Sequence, residues 1–395
     1  MKIKGMKDLK VLKFKFLFCS ALFIIYLIFF DTGCKEPFHA EIDEKIDAIA
    51  VDGSLIKGRE KQTVVIARSS PLDDIVYSPV TGCQVMVMDE NENEFYFTEE
   101  TEGKYTAVID DNQLEYNRQY KLVFNTPDGN TYESSWETII ETAVVDSVYP
   151  VRETLYNSSE QKDEDIVQFY LDLKAPETGA RYYRWELTET YEIHSYYYIN
   201  YIYDGDTILP VPNMRDSVYY CWITSDINEL YSSNTVNLVI NEKKKIPLNH
   251  ALATSRKLAV RYSLLIEQYA LNEKAYDFWN QKKIEIQESG GLYTAQPGQS
   301  TSNIVNIDDA DEKVLGYFWA SSLSVKRIFF HEPFTYRPPF GICEREDFSI
   351  DSVQDGPFPV YITGDITLGI LYTADQKCFD CTLIGGSLEK PDFWE

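Results

Sequence analysis

Histidine is scarce in this sequence. It occurs four times in 395 residues, against 29 tyrosines and 21 phenylalanines. Histidine is the side chain best suited to proton transfer near neutral pH and is the commonest metal ligand, so a histidine-based centre is not expected. The histidines are dispersed and match no catalytic motif: His39, His194, His250 and His331. We therefore expect a protein that is not an enzyme, has no metal site and needs no cofactor.

Basic residues are also few. Lysine and arginine together number 37, against 63 aspartates and glutamates, and the formal net charge is −26. Nucleic acids are bound mainly through lysine and arginine contacts to phosphate, so a nucleic-acid partner is excluded. The abundant aromatic residues instead favour β-sheets and contact surfaces.

An apolar run near the N-terminus, Phe16–Phe30, is too short to span a bilayer comfortably, since a spanning helix needs about 20 residues. It follows a lysine-rich segment and ends in Asp31-Thr32-Gly33-Cys34. This order is typical of a lipoprotein signal peptide. We predict that residues 1–33 are removed, that Cys34 carries the lipid, and that residues 34–47 form a tether. An ordinary membrane anchor, or a secretory signal cut elsewhere, is the alternative, because an apolar residue is usual where Asp31 stands.

Cysteine is used sparingly beyond the predicted lipid attachment site. An exported protein can keep disulfides, so pairing is expected. Cys83 lies in an alternating, strand-like run and is predicted to be the free thiol. A redox pair or a zinc site are the competing interpretations of the C-x-x-C sequence, but neither has the sequence context that it requires. Two disulfides are predicted that join Cys378 and Cys381 to Cys221 and Cys343, and which cysteine pairs with which is left open.

Short stretches of period-two alternation dominate the chain beyond the tether. Lys104–Ile109 and Tyr120–Phe124 alternate in this way, and the turn residues Thr126–Asn130 follow them. Short strands separated by such turns are typical of a β-sandwich. We predict a mainly β fold, with an immunoglobulin-like β-sandwich at 48–143 followed by a larger β-rich domain at 144–395.

The predicted second domain contains one main helix, near 272–288. Asn272 is a good N-cap residue, and Gly290 stands where the helix should end. Earlier in this domain, Val236, Leu238 and Ile240 alternate and predict another strand.

A tyrosine-rich stretch supplies the candidate ligand contacts. Flat aromatic rings can stack on sugar rings or grip a peptide, so a glycan or peptide ligand is one interpretation. The other is a strand buried on one face, with Asp204-Gly205 as its turn. The candidate contact residues are Tyr196, Tyr197, Tyr198, Tyr201 and Tyr203.

Several motifs together resemble one known family. They are Thr126-x-Asp128-Gly129, Arg181-Tyr182-Tyr183-Arg184-Trp185, Tyr220-Cys221-Trp222, Val314-Leu315-Gly316-Tyr317-Phe318, Cys378-x-x-Cys381-x-x-x-Gly385-Gly386 and the terminal Pro391-Asp392-Phe393-Trp394. In these motifs the chain resembles the lipoproteins of Bacteroidota that contain domain of unknown function 4249, DUF4249. The resemblance implies an outer-membrane lipoprotein of the kind encoded beside TonB-dependent receptors, and it transfers no catalytic residue.

The predicted lipid anchor, the amino-acid composition and the family resemblance together give the expected function. We expect a non-enzymatic lipoprotein that is anchored to the outer membrane and binds substrate for, or assists, a TonB-dependent transporter in nutrient uptake. Whether it faces the cell surface or the periplasm is left open. The alternative is a structural or adhesive module of the cell surface.

Overall fold

The computed structural model describes most of the chain beyond the predicted tether. The described residues are 48–70, 76–212, 218–288, 302–331, 343–353 and 356–395. The described residues belong to one compact unit. The predicted signal peptide, the tether and Cys34 lie outside the described residues. In the described ranges, no helix is both long and apolar enough to cross a membrane.

Strands dominate the described residues. The first part of the chain forms β1 (Ile49–Lys57), β2 (Lys61–Arg68), β3 (Ser78–Pro79), β4 (Gln84–Asp89), β5 (Glu94–Thr101), β6 (Lys104–Val108), β7 (Gln119–Asn125), β8 (Thr131–Ser134) and β9 (Glu137–Thr138). It continues with β10 (Ser147–Asn157), β11 (Lys162–Lys174), β12 (Tyr182–His194), β13 (Tyr201–Tyr203), β14 (Ile208–Pro210), β15 (Tyr220–Asn234), β16 (Glu242–Leu252) and β17 (Arg261–Leu271). The last elements are α1 (Glu273–Glu288), β18 (Ile304–Asn306), β19 (Leu315–Phe330), β20 (Glu346–Asp347), α2 (Ile350–Val353), β21 (Val360–Asp365) and β22 (Ile370–Thr373). The predicted mainly β fold with one main helix is confirmed.

The first sandwich is one sheet folded back on itself. Its strands follow the order β1-β2-β6-β5-β4-β7-β8-β18. Alternate residues of β1, β2, β4 and β7 meet in a shared core, as period-two patterning requires. Gly53 of β1 shows how close the layers are, since a Cβ there would lie 3.2 Å from Phe318 and 3.6 Å from Leu122 of β7.

This first core crosses the predicted boundary between residues 143 and 144. Ile304, Val314, Phe318 and Ala320 are buried in it, although they come from far along the chain. These residues lie in the first core because β18 pairs with β8 and because the first half of β19 pairs in parallel with β1.

The second sandwich packs the sheet β15-β12-β17-β19 against the three-stranded sheet β10-β11-β16. Phe169 and Leu171 of β11 face Trp185 of β12 and Tyr262 of β17 in its core. The second half of β19 pairs antiparallel with β17. One 16-residue strand, β19, therefore belongs to both sandwiches.

Helix α1 covers the outer face of the sheet where the two sandwiches meet. The side-chain oxygen of Asn272 accepts a hydrogen bond from the Ala275 backbone N–H at 2.8 Å, which is the predicted N-cap. The guanidinium of Arg184 lies 3.9 Å from the ring centroid of Trp279 in the helix and 5.3 Å from that of Trp319 in β19. Arg184 is 7% exposed, so a buried cation joins helix and sheet.

A third, five-stranded sheet has the order β14-β13-β21-β22-β20. It is built from two separate parts of the chain, residues 201–210 and residues 346–373. Ile199, Cys378 and Phe379 form a small core beside it. This sheet carries part of the tyrosine-rich stretch.

The segment Val236–Ile240 is not the strand that the sequence predicts. Its alternation predicts a strand, but β15 ends at Asn234, and β16 begins at Glu242. The segment between them is a loop whose apolar side chains are exposed. Alternation predicts a strand only where one face is covered, and no other strand pairs with this segment in the described part of the chain.

Candidate functional site

The tyrosine-rich stretch is not one continuous strand. Only Tyr201–Tyr203 forms β13, and residues 195–200 are irregular. Tyr203 is 3% exposed, and its hydroxyl donates a hydrogen bond to the Gly205 carbonyl at 3.0 Å. Its ring packs against Phe348 and Phe358. Tyr203 is therefore a core residue, and the predicted ligand contact at this position is wrong.

Tyr197 and Tyr201 are half-buried and have structural partners. The Tyr197 hydroxyl donates to the Cys343 carbonyl at 2.7 Å, and its ring lies 5.5 Å from that of Phe379. The Tyr201 hydroxyl accepts a hydrogen bond from the Ile366 backbone N–H at 3.3 Å. These contacts attach the stretch to the third sheet.

Tyr196 remains at the surface, and Tyr198 is half-buried like Tyr197 and Tyr201. Tyr196 is 51% exposed. The ring of Tyr198 stacks on that of Tyr219 with a centroid distance of 3.8 Å and an interplanar angle of 15°. His194 continues the cluster, because its ring lies 5.3 Å from Tyr219 and 4.8 Å from Tyr220.

Trp222 extends this cluster along β15. It stands two residues after Tyr220, with the fully buried Cys221 between them, so Trp222 and Tyr220 share the outer face of the strand. The indole N–H of Trp222 is buried and has no hydrogen-bond acceptor among the described residues. We define the aromatic face as His194, Tyr196, Tyr198, Tyr219, Tyr220 and Trp222.

Tyr219 and Tyr220 are members of the aromatic face that the ligand prediction missed. A sequence signal was available, since these two adjacent tyrosines stand directly before Cys221, as three of the predicted tyrosines stand shortly before β13. What the sequence does not show is that residues 196–198 and residues 219–220 come together.

Two disulfides hold the aromatic face in place. Cys221 pairs with Cys381, and Cys343 pairs with Cys378, so all four predicted cysteines are bonded. The backbone N–H groups of Tyr196 and Tyr197 both donate to the Cys378 carbonyl, at 2.8 and 2.9 Å. Both tyrosine segments are thus attached to the cystine-bearing segment 378–381.

Cys83 is the free cysteine of the described residues, as predicted. It is half-buried and packs against the core of the first sandwich. Burial raises the pKa of its thiol. A protonated, half-buried thiol is poorly reactive, so Cys83 is a packing residue.

A groove of about 460 Å³ adjoins Trp222. One wall is β15, and the other is the C-terminal segment, which pairs with β15 through Ser387. Gly386 permits this approach, because a Cβ there would lie 2.5 Å from the Cβ of Cys221. The groove is lined by Trp222, Ile223, Thr224, Gly385, Ser387, Glu389, Lys390, Pro391 and Asp392.

Glu192 connects the aromatic face to the end of the chain. One of its carboxylate oxygens accepts from His194 Nε2 at 2.7 Å, and the other accepts from the Trp394 indole N–H at 3.1 Å. The hydrogen bond from His194 lowers the pKa of Glu192. Trp394 is 4% exposed, so the chain end packs against the protein.

The comparisons with known proteins place the chain in a family. A family model described as a domain of unknown function, DUF4249, matches residues 35–327. A comparison with curated proteins finds no match. The matched residues include nearly all of both sandwiches and the stretch from Tyr196 to Trp222, while the last residues of β19, Cys378, Cys381 and the chain end lie beyond them. Because the match covers most of the sequence, the chain belongs to the DUF4249 family.

Proposed function

We propose that this protein is a lipid-anchored, non-enzymatic binding protein of the outer membrane that serves a TonB-dependent transporter in nutrient uptake. Acylation of Cys34 would hold the chain at the membrane. The lysine-rich, apolar N-terminal sequence and the export-compatible disulfides support this location. The observation that carries the proposal is the aromatic face, which is rigidly held and reaches the surface: Tyr196 is exposed, and its other five residues are half-buried.

The aromatic face suits a glycan or a peptide. Its rings provide flat surfaces for stacking, and their two χ angles leave little side-chain entropy to lose on binding. The stack of Tyr198 on Tyr219 and the two disulfides fix the surface before a ligand arrives. Preorganisation of this kind improves affinity because less ordering is needed on binding.

The groove beside Trp222 adds polar recognition to this surface. Glu389, Lys390 and Asp392 line it together with backbone groups. The Trp222 ring itself lies against the groove, and its buried indole N–H has no acceptor among the described residues. An aromatic surface next to a short polar groove matches an extended ligand with alternating flat and polar parts, such as an oligosaccharide or a peptide.

Binding rather than catalysis is proposed because the histidine of the aromatic face has structural partners. Its histidine, His194, is hydrogen-bonded to Glu192 and packed against Tyr219 and Tyr220. These contacts hold the ring within the aromatic face, and the proposal gives it a packing role.

Isolation of the full chain from its native membranes tests the proposal. A TonB-dependent transporter is expected to co-purify, and Tyr198→Ala with Trp222→Ala is expected to reduce nutrient uptake without reducing the amount of protein. The matched control is Tyr96→Ala, since Tyr96 is 68% exposed on the first sandwich, away from the aromatic face. Recovery of the chain without any transporter, or as a homopolymer whose loss impairs adhesion but not uptake, would favour the structural alternative.

A further inference from the structure

The loop between β15 and β16 displays aliphatic side chains to solvent. Contiguous exposed apolar side chains on a soluble protein mark an interaction site more often than chance exposure does. Val239 at its tip is 94% exposed. The other exposed residues of this apolar loop are Val236 at 47%, Leu238 at 41% and Ile240 at 62%.

Buried polar residues hold the apolar loop at its base. Thr235 and Asn241 are both fully buried, and the Thr235 hydroxyl donates to the Asn241 side-chain oxygen at 2.5 Å. Asn241 Nδ2 donates to the carbonyls of Pro176 and Ala180, at 2.8 and 3.0 Å. The Arg181 guanidinium donates to two loop carbonyls at 3.3 Å. Such a base keeps the tip exposed in one conformation.

The two chain segments at the base of the apolar loop are basic, unlike the rest of the chain, while Asp172 and Glu153 of the neighbouring strands lie against Lys245. Residues 173–181 and 233–245, which these hydrogen bonds join, contain five basic and two acidic residues, whereas the whole chain has a net charge of −26. Lys244 and Lys245 form ion pairs with Glu242 and Glu153, but their side chains are 71% and 59% exposed. Exposed pairs of this kind are weak and exchange readily with other anions.

We propose that the apolar loop inserts its aliphatic tip into an anionic phospholipid bilayer, with the neighbouring lysines at the headgroups. An aliphatic tip flanked by lysines has the composition of interfacial membrane segments, because the tip partitions into the acyl boundary and the lysines meet the phosphates. The loop then gives the tethered protein a second contact with the membrane and limits its orientation. The inference rests on the proposed membrane location and extends it.

Quenching by brominated lipids tests the insertion on the full chain. Val239→Trp places a reporter indole at the tip, and Val108→Trp is the matched control, since Val108 is 69% exposed on β6. In vesicles of acyl-brominated phosphatidylglycerol, the fluorescence that the tip reporter adds is expected to fall by about half or more, because interfacial segments reach about 5–10 Å into the boundary. The fluorescence of the control reporter should not change, and brominated phosphatidylcholine should quench the tip reporter much less.

Three outcomes would overturn the proposal. One is that the tip reporter is unquenched in both lipids, and another is that it is quenched equally in both. The third is that the tip reporter is shielded from aqueous acrylamide only in native membranes, which would assign the loop to a protein partner. The mass of the N-terminal peptide, measured in parallel, reports on Cys34 acylation, so failure of the anchor is distinguished from failure of the insertion.

Discussion

The Cys221–Cys381 disulfide offers a quantitative prediction, because it closes the longer of the two cystine loops. It joins β15 to the C-terminal segment across a sequence separation of 160 residues. Both cysteines are fully buried. The perturbation is Cys221→Ala with Cys381→Ala, compared with Cys343→Ala and Cys378→Ala, whose disulfide spans 35 residues.

The expected magnitudes follow from the entropy of the unfolded chain. In the loop-closure model, a cross-link across 160 residues stabilises the folded state by about 5 kcal/mol. The same relation gives about 4 kcal/mol for the 35-residue loop. For a protein of this size, a loss of about 5 kcal/mol corresponds to a fall in the melting temperature of about 5–8 °C.

The assay is thermal and denaturant unfolding of the full chain in detergent, followed by near-ultraviolet circular dichroism. Cys83→Ser is the matched control, since it removes a cysteine that is not bonded, and it is expected to change stability little. The reasoning is refuted if the Cys221/Cys381 variant is no less stable than this control. It is also refuted if removing the shorter cystine loop is clearly more destabilising than removing the longer one.

Three further predictions concern single residues. Gly316→Ala is expected to lower the free energy of unfolding by about 3 kcal/mol or more, measured by denaturant titration, because φ is +93° and a Cβ would lie 1.8 Å from the Val51 carbonyl oxygen. Glu192→Gln should be less stable than the parent at neutral pH, and the difference should vanish well below pH 4.5. The reason is that the lowered pKa of Glu192 stabilises the fold above its ordinary value of 4.5 and that this contribution is lost on acidification. Arg184→Lys should lower stability by about 1–2 kcal/mol and change tryptophan fluorescence, because lysine cannot reproduce the planar stack on Trp279; equal stability would contradict this.

Local patterns predicted much of the fold. Period-two alternation locates strands such as β6 and β7, since one face of each is covered by the core. Asn272 marked the start of α1 because an N-cap acts within a single turn. The four bonded cysteines could be predicted from the expected export of the protein and from the number of its cysteines. Which cysteine pairs with which could not.

The remaining features depend on contacts between distant parts of the chain. No local pattern indicates that β19 pairs with β1 over one half and with β17 over the other. The stack of Tyr198 on Tyr219 likewise requires two separate segments to meet at Cys378. The apolar loop was predicted as a strand because alternation alone does not show that Thr235 and Asn241 close its base.

Site-specific photo-crosslinking in cells that carry the native membrane tests the central claim most directly. A photoreactive phenylalanine analogue replaces Tyr196 on the aromatic face or, as the control, Tyr96 on the first sandwich, and both positions are exposed. The proposed function predicts a covalent adduct with a TonB-dependent transporter, or with a glycan or peptide, at position 196 and not at position 96. Adducts of equal yield at both positions, or none at position 196, would contradict a binding role for the aromatic face.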